Sequence, residues 1–161
     1  MLALLITGLF LAGCASPNNG SVLNTVGPAP YSTGNDQSAT GTLVVYSAYE
    51  VNADFNSRDP NRPEYSDYRI YSNDGKLVER VHNNSDTIFQ DPRRVTLPAG
   101  SYRVVASANG FGHVTVPVTI ATRQTTMVRL EGNWSASYQF NDTNAVRLPD
   151  RQIVGYRAAV D

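Results

Sequence analysis

The chain has 161 residues, of which 41% are hydrophobic and 17% are charged, and its formal net charge at pH 7 is -1. This length predicts a single folded domain. Because the net charge is close to zero, the chain has no net basic field that would attract phosphates. Nucleic acid is therefore not an expected partner.

The first residues have the pattern of an export signal. Residues 2–12 are an apolar run as long as a signal-peptide core and far shorter than the ~20 residues of a membrane-spanning helix. The run ends in Leu11-Ala12-Gly13-Cys14, which resembles the lipobox of bacterial lipoproteins. The resemblance implies that residues 1–13 are a signal peptide, that cleavage occurs before Cys14, and that lipid on Cys14 anchors the mature chain to a membrane.

Three further features concern the anchored chain. Ala15 follows the cysteine, and by resemblance to lipoprotein sorting in Gram-negative bacteria it implies the outer membrane. The first basic residue is Arg58, so no basic residue precedes the apolar run, and we expect that the coding sequence starts further upstream. Because Cys14 is the only cysteine, its lipidation would leave no thiol for a disulfide, a metal or a nucleophile.

Residues 14–41 are expected to be the lipidated N-terminus and a flexible tether. After the cysteine, this stretch is rich in Ser, Asn, Gly, Pro and Thr and poor in branched apolar residues. Such a segment buries too little surface to offset the entropy of ordering it. Its predicted role is to hold the folded domain clear of the lipid surface.

From residue 42 onward the pattern changes to short β-branched and aromatic runs separated by turn signals, with no sustained helical period. Strands are predicted near residues 43–49, 68–72, 76–82, 101–108, 113–120 and 125–131, with a further run at 95–97. Asp74-Gly75 lies between two of these runs and predicts a tight hairpin. Seven short strands at this spacing predict an all-β, antiparallel, two-sheet sandwich of the immunoglobulin-like or prealbumin-like kind.

The run from His113 to Ile120 alternates strictly between apolar and polar residues. Its valines and Ile120 are predicted to face the core, and His113, Thr115, Pro117 and Thr119 the opposite side. Pro117 has no N–H to donate, so this strand is predicted to lie at a sheet edge or to bulge there.

A family resemblance covers roughly residues 42–132. The stretch Leu97-Pro98-Ala99-Gly100-Ser101-Tyr102-Arg103-Val104-Val105-Ala106, then Asn109-Gly110-Phe111 and the two alternating strands after it, look like the second half of a PEGA-type or carboxypeptidase-regulatory-like domain. Such domains are prealbumin-like sandwiches and common accessory modules of bacterial envelope proteins. The resemblance implies a fold but no activity, because the family has no catalytic motif to carry over. Residues 52–67 depart from it as a polar insert.

Residues 133–161 are predicted to be an appendage. They contain Trp134, Tyr138 and Phe140, and Pro149-Asp150 between two β-like runs predicts a small hairpin. The three aromatics could present a sugar-binding platform, or they could cover part of the core. The cover is the preferred interpretation.

No motif of a serine hydrolase, a P-loop or a dinucleotide site occurs, and no catalytic residue is predicted. His82 and His113 would need a carboxylate between them to bind zinc, and the preferred interpretation is two surface imidazoles. The acidic insert residues Asp54, Asp59 and Glu64, with Asp67, alternate with arginines, which indicates a solvated loop rather than a calcium site.

The sequence therefore predicts a non-enzymatic binding or structural module without metal or cofactor, anchored through Cys14 in the cell envelope. Its expected partner is an envelope protein or a glycan. The alternatives are a carbohydrate-binding module that uses Trp134, Tyr138 and Phe140, and, less favoured, an envelope hydrolase.

Overall fold

The computed structural model describes residues 20–28, 39–51, 63–83, 91–132 and 142–157. Within these ranges the chain is all-β, with one short 3-10 turn at Asp142–Asn144, and none of its helical residues could span a membrane. The strands are β1 (Ser21–Val22), β2 (Thr40–Tyr46), β3 (Tyr49–Val51), β4 (Pro63–Tyr65), β5 (Tyr68–Ser72), β6 (Leu77–Val81), β7 (Arg94–Pro98), β8 (Gly100–Ala108), β9 (Gly112–Ile120), β10 (Thr125–Arg129), β11 (Ala145–Arg147) and β12 (Ile153–Tyr156).

Two main sheets share one hydrophobic core. The larger sheet has the order β1-β9-β8-β5-β6, and the smaller has the order β10-β2-β7. Two hairpins, β3–β4 and β11–β12, complete the described strands. The core includes buried side chains from both main sheets, among them Leu43, Val45 and Val128 from the smaller sheet and Ile70, Val104 and Val116 from the larger one. The all-β prediction is confirmed.

Alternation along β8 and β9 defines the inner face of the larger sheet. On β9 the side chains of Val114, Val116 and Val118 are fully buried, and Ile120 is nearly so, whereas His113 is exposed. The predicted facing of this strand is therefore confirmed. The burial of each valine relative to an exposed one stabilises the fold by about 1.5–3 kcal/mol, so this register is strongly specified.

The turn between β5 and β6 is a hairpin, but it is longer than predicted. Gly75 N–H donates to the Ser72 carbonyl and Ser72 N–H donates to the Lys76 carbonyl, which encloses three loop residues. Gly75 alone among them has a positive φ, of 91°. This geometry is a type I turn followed by a left-handed glycine, not the two-residue type I′ turn that Asp-Gly suggests.

Two strand pairs are parallel, which corrects the prediction of an antiparallel arrangement throughout. β10 runs parallel to β2, with Met127 beside Val44, and β1 runs parallel to β9, with Ser21 beside Val114. Parallel neighbours need long connections rather than tight turns. Turn signals in the sequence identify hairpins only, so they could not reveal these pairings.

Residues 20–28 pair with the edge of the larger sheet, in contrast to the prediction of a tether through residue 41. Leu23 N–H donates to the Thr115 carbonyl, Val26 N–H donates to the Pro117 carbonyl, and both distances are 2.9 Å. The Val26 side chain is 1% exposed and belongs to the common core. The buried Val26, the partly buried Leu23 and a few backbone hydrogen bonds fix this segment, and average composition does not detect so small a signal.

Pro117 lies on the side of β9 that this N-terminal segment covers. Its carbonyl accepts the hydrogen bond from Val26, and the next outward residue, Thr119, donates its N–H to the Val26 carbonyl. The proline nitrogen therefore faces the N-terminal segment rather than β8, where a donor would be needed. The prediction that this strand lies at an edge or bulges at Pro117 is wrong, because β9 lies between β1 and β8 and its register with β8 is continuous.

The C-terminal hairpin β11–β12 contributes to the core. Val146, Leu148 and Val154 are buried in the same cluster as the two main sheets. At its turn, Leu148 N–H donates to the Gln152 carbonyl across Pro149-Asp150. The described part of this segment thus covers the core, as the preferred interpretation predicts. Trp134, Tyr138 and Phe140 lie outside the described residues.

A buried polar side chain joins the two main sheets at one end. Asn83, at 0% exposure, donates from Nδ2 to the Val45 carbonyl and to Ser47 Oγ, each at 2.8 Å, and its Oδ1 accepts from Arg93 N–H at 3.0 Å. Ser47 Oγ in turn donates to the Ser66 carbonyl at 2.6 Å. Because buried polar groups are costly when unpaired, this network fixes the end of β2 against the end of β6.

The docked N-terminal segment predicts unequal effects of two matched valine substitutions. Val26→Ala should lower the free energy of unfolding by about 2 kcal/mol, since it removes two buried methyl groups. Val22→Ala, at a side chain that is 72% exposed, should change it by less than about 0.5 kcal/mol. Urea denaturation measures both values. Equal, small effects would show that residues 20–28 do not pack on the domain.

Candidate anion-binding groove

The outer face of the larger sheet carries a group of arginines. Arg69 and Tyr71 on β5 alternate with the buried Ile70, and Arg103 and Val105 on β8 alternate with the buried Val104. Because successive side chains of a strand point to opposite faces, the burial of the two apolar residues places the other four side chains on the outer face.

The strand register brings the arginines together. Arg69 lies directly opposite Arg80 of β6 and, on its other side, opposite Val105, while Tyr71 lies opposite Arg103. Arg69 and Arg103 are therefore diagonal neighbours. Directly opposite side chains have Cβ atoms about 5 Å apart and diagonal ones about 7–8 Å apart, and like charges at such positions destabilise a sheet.

These side chains border a shallow groove of about 350 Å³. Val105 and Thr115 form part of its floor. The groove is lined by Gly20, Arg69, Tyr71, Gly75, Arg103, Val105, His113, Val114 and Thr115. A second groove on the same face adds Asp67, Arg80 and His82. The face thus combines guanidinium groups at the rim with an apolar and hydroxyl-bearing floor.

The arginines of this face have no carboxylate partner among the described residues. Asp67 Oδ1 accepts a hydrogen bond from His82 Nδ1 at 2.9 Å. Asp74 accepts hydrogen bonds from the Ser72 hydroxyl and from Lys76 N–H, and the Ser72 bond is the main cause of its lowered pKa. Arg69, Arg80 and Arg103 consequently present their charge to solvent.

The two histidines lie on this same face but do not form a metal site with described residues. His113 Nδ1 is 3.2 Å from Ser107 Oγ, and His82 Nδ1 is bonded to Asp67. Both rings are exposed. Among the described residues no group of three His, Cys, Asp or Glu side chains converges, and the interpretation as surface imidazoles fits their positions.

A second polar cluster, beside the β3–β4 hairpin, has a structural role. The rings of Tyr49 and Tyr65 are stacked at 4.6 Å between centroids and their hydroxyls are 2.8 Å apart. The Arg129 guanidinium lies 3.7 Å from the Tyr46 ring centroid and donates to Glu131 Oε1 at 2.8 Å. The Tyr65 ring packs edge-on against the Tyr46 ring at 5.7 Å between centroids, so these contacts join the hairpin to the ends of β2 and β10.

Burial in this cluster shifts two titrations. Desolvation, with the hydrogen bond to Tyr49, raises the pKa of Tyr65. Desolvation also raises the pKa of Glu131, although the hydrogen bond from Arg129 acts in the opposite direction. Neither group lines the groove, so they are not part of that face.

The residues predicted from the sequence to carry function are not among those that the structure describes. Cys14, Trp134, Tyr138 and Phe140, as well as Asp54 and Asp59 of the insert, are outside the described residues. The three arginines were not predicted as a site. Each arginine is next to a buried residue in its own strand, and the sequence shows that pattern. The strand order that brings the three arginines together cannot be read from the local sequence.

The chain matches no family model, no curated protein and no solved structure. A function can therefore be inferred only from the geometry of the described residues and from the N-terminal sequence pattern.

The Arg69–Arg80 pair predicts a specific salt dependence of stability. Arg80→Gln keeps a long polar side chain but removes the repulsion, so it should raise the free energy of unfolding by about 0.2–1 kcal/mol at low ionic strength. The gain should shrink when about 1 M salt shortens the Debye length to about 3 Å. Urea denaturation at low and high salt measures both effects.

Arg94→Gln is the matched control, since Arg94 is exposed on β7 and lies opposite Val44 rather than another cation. It should change stability little at either salt concentration. A loss of stability with Arg80→Gln at low salt would contradict the interpretation that these two charges repel each other.

Proposed function

We propose that this protein is a lipid-anchored, non-enzymatic binding module of the bacterial cell envelope, and that the arginine-lined face of its larger sheet binds an anionic envelope component. The lipobox-like sequence supports the anchor at Cys14 and, by its Ala15, an outer-membrane position. The two main sheets, which share one core, support a prealbumin-like sandwich. β2 and β10 form the parallel pair of its smaller sheet.

The observation that carries the binding proposal is the placement of like charges. Arg69 stands opposite Arg80, and Arg103 is diagonal to Arg69, without a carboxylate partner among the described residues. A sheet gains no stability from such an arrangement. An oxyanion between the guanidinium groups would remove the repulsion and accept charge-assisted hydrogen bonds from them.

The shape of the face supports binding rather than catalysis. The groove is shallow and its strongest groups are arginines, which act as fixed cations and cannot serve as general bases. Ser107 and His113 form a cross-strand pair at its end. Asp67 is bonded to His82 rather than to His113, so the described residues do not assemble a nucleophile, a base and an orienting group together.

Calorimetric titration with inorganic tripolyphosphate tests this function. The protein used in the titration is the chain from residue 14 with Cys14→Ser. It contains every described residue and is soluble because it lacks the proposed lipid site. It should bind tripolyphosphate more weakly as salt rises, and Arg69→Gln and Arg103→Gln should each reduce the affinity about tenfold, as expected for loss of a charge-assisted hydrogen bond.

Arg94→Gln, which makes the same charge change on the other main sheet, should leave the affinity unchanged. An equal loss of affinity with Arg94→Gln and with the groove variants would show that only the net charge matters. That result would contradict a specific site. The intact mass of the unsubstituted protein, purified from membranes, tests the anchor separately, because a lipid on Cys14 adds mass that Cys14→Ser removes.

A further inference from the structure

We propose that the outer face of the larger sheet lies against the membrane that holds the anchor, with Arg69, Arg80 and Arg103 bound to the phosphates of anionic lipid headgroups. This inference deepens the proposed function by naming its ligand, and it rests on the proposed anchor at Cys14. It also changes the expected role of the N-terminal segment, which would hold the domain close to the lipid surface rather than clear of it.

The distance between the anchor and the sheet is short. Because the chain pairs with β9 from Ser21 and Gly20 already lines the groove, only six residue steps separate Cys14 from the groove. At about 3.3–3.6 Å per residue, the chain cannot place Gly20 more than about 20 Å from the anchored cysteine. A headgroup next to the anchor is therefore always near the groove, at a high effective concentration.

The composition of the face fits a membrane surface. In the register of the sheet, Val22 of β1 lies beside Thr115, and Leu77 of β6 lies opposite Tyr71, so both apolar side chains are on the outer face. Val22 is 72% exposed and Leu77 is 37% exposed. They flank the arginines at the two edges of the sheet, where their exposure to water costs free energy.

A soluble polyanion would satisfy the arginines but not these apolar side chains. The interfacial region of a bilayer satisfies both, because phosphates bind the guanidinium groups while exposed aliphatic side chains enter the headgroup layer. The Tyr71 ring, in the centre between Arg103 and Leu77, is also of the type that prefers this layer. The observations thus favour an anionic lipid surface over an acidic glycan.

Co-sedimentation with vesicles tests the inference. The chain from residue 14 with Cys14→Ser is mixed with vesicles of phosphatidylcholine alone or of phosphatidylcholine with phosphatidylglycerol. It should bind the anionic vesicles and not the neutral ones. Each of Arg69→Gln, Arg80→Gln and Arg103→Gln should lower the partition coefficient about fivefold, which is the contribution of one basic residue near an anionic surface.

Val22→Ser separates a membrane from a soluble ligand. It should lower the partition into anionic vesicles about fourfold, as expected when about one methylene group leaves the interface, and should leave tripolyphosphate binding unchanged. Met127→Ser and Arg94→Gln are the controls, because both side chains are exposed on the smaller sheet. Melting curves confirm that each variant is folded.

Tripolyphosphate binding without vesicle binding, or vesicle binding that ignores the groove arginines, would overturn this inference and leave the proposed function standing. Tighter binding to polygalacturonate than to anionic vesicles, insensitive to Val22→Ser, would assign the face to an acidic glycan instead. Failure of both tripolyphosphate and vesicle binding would overturn the proposed function as well.

Discussion

The burial of one face of β8 and β9 is the constraint on which the rest of the structure depends. Val104, Val114, Val116 and Val118 are fully buried, and a shift of one residue in either strand would expose the set. The same constraint places Arg103 on the opposite face, because it alternates with Val104 on β8, and the pairing of β8 with β5 and of β5 with β6 brings the other arginines beside it. Core and candidate site are therefore two consequences of one register, and neither can change without the other.

The N-terminal segment links this register to the proposed anchor. Val26 enters the core and the backbone around it pairs with the outer edge of β9, so the chain leaves the sheet at Gly20, beside His113. Gly155 makes the close packing possible, since a Cβ there would lie 2.6 Å from Val26 Cγ1. A segment that composition alone describes as a linker thus determines where the domain would stand relative to the proposed anchor.

Much of the fold could be predicted from the sequence, because alternation and turn residues are local signals. They located β5, β6, β8, β9 and β10 within a few residues. Strand order and direction are not local: the β2–β10 pairing joins residues far apart in the chain, and β1 has only two residues. The arginine face could not be predicted for the same reason, since Arg69, Arg80 and Arg103 become neighbours only when β5 lies between β6 and β8.

The central claim is that the outer face of the larger sheet is the binding surface. Amide chemical shifts recorded by NMR during a titration with tripolyphosphate test it most directly, because they report every backbone position at once. The account predicts that the largest changes fall in β5, β6, β8 and the first half of β9, around Arg69, Arg80 and Arg103. Changes confined to residues 133–141, which contain the aromatics of the alternative sugar-binding platform, or to the outer face of the smaller sheet, would contradict it.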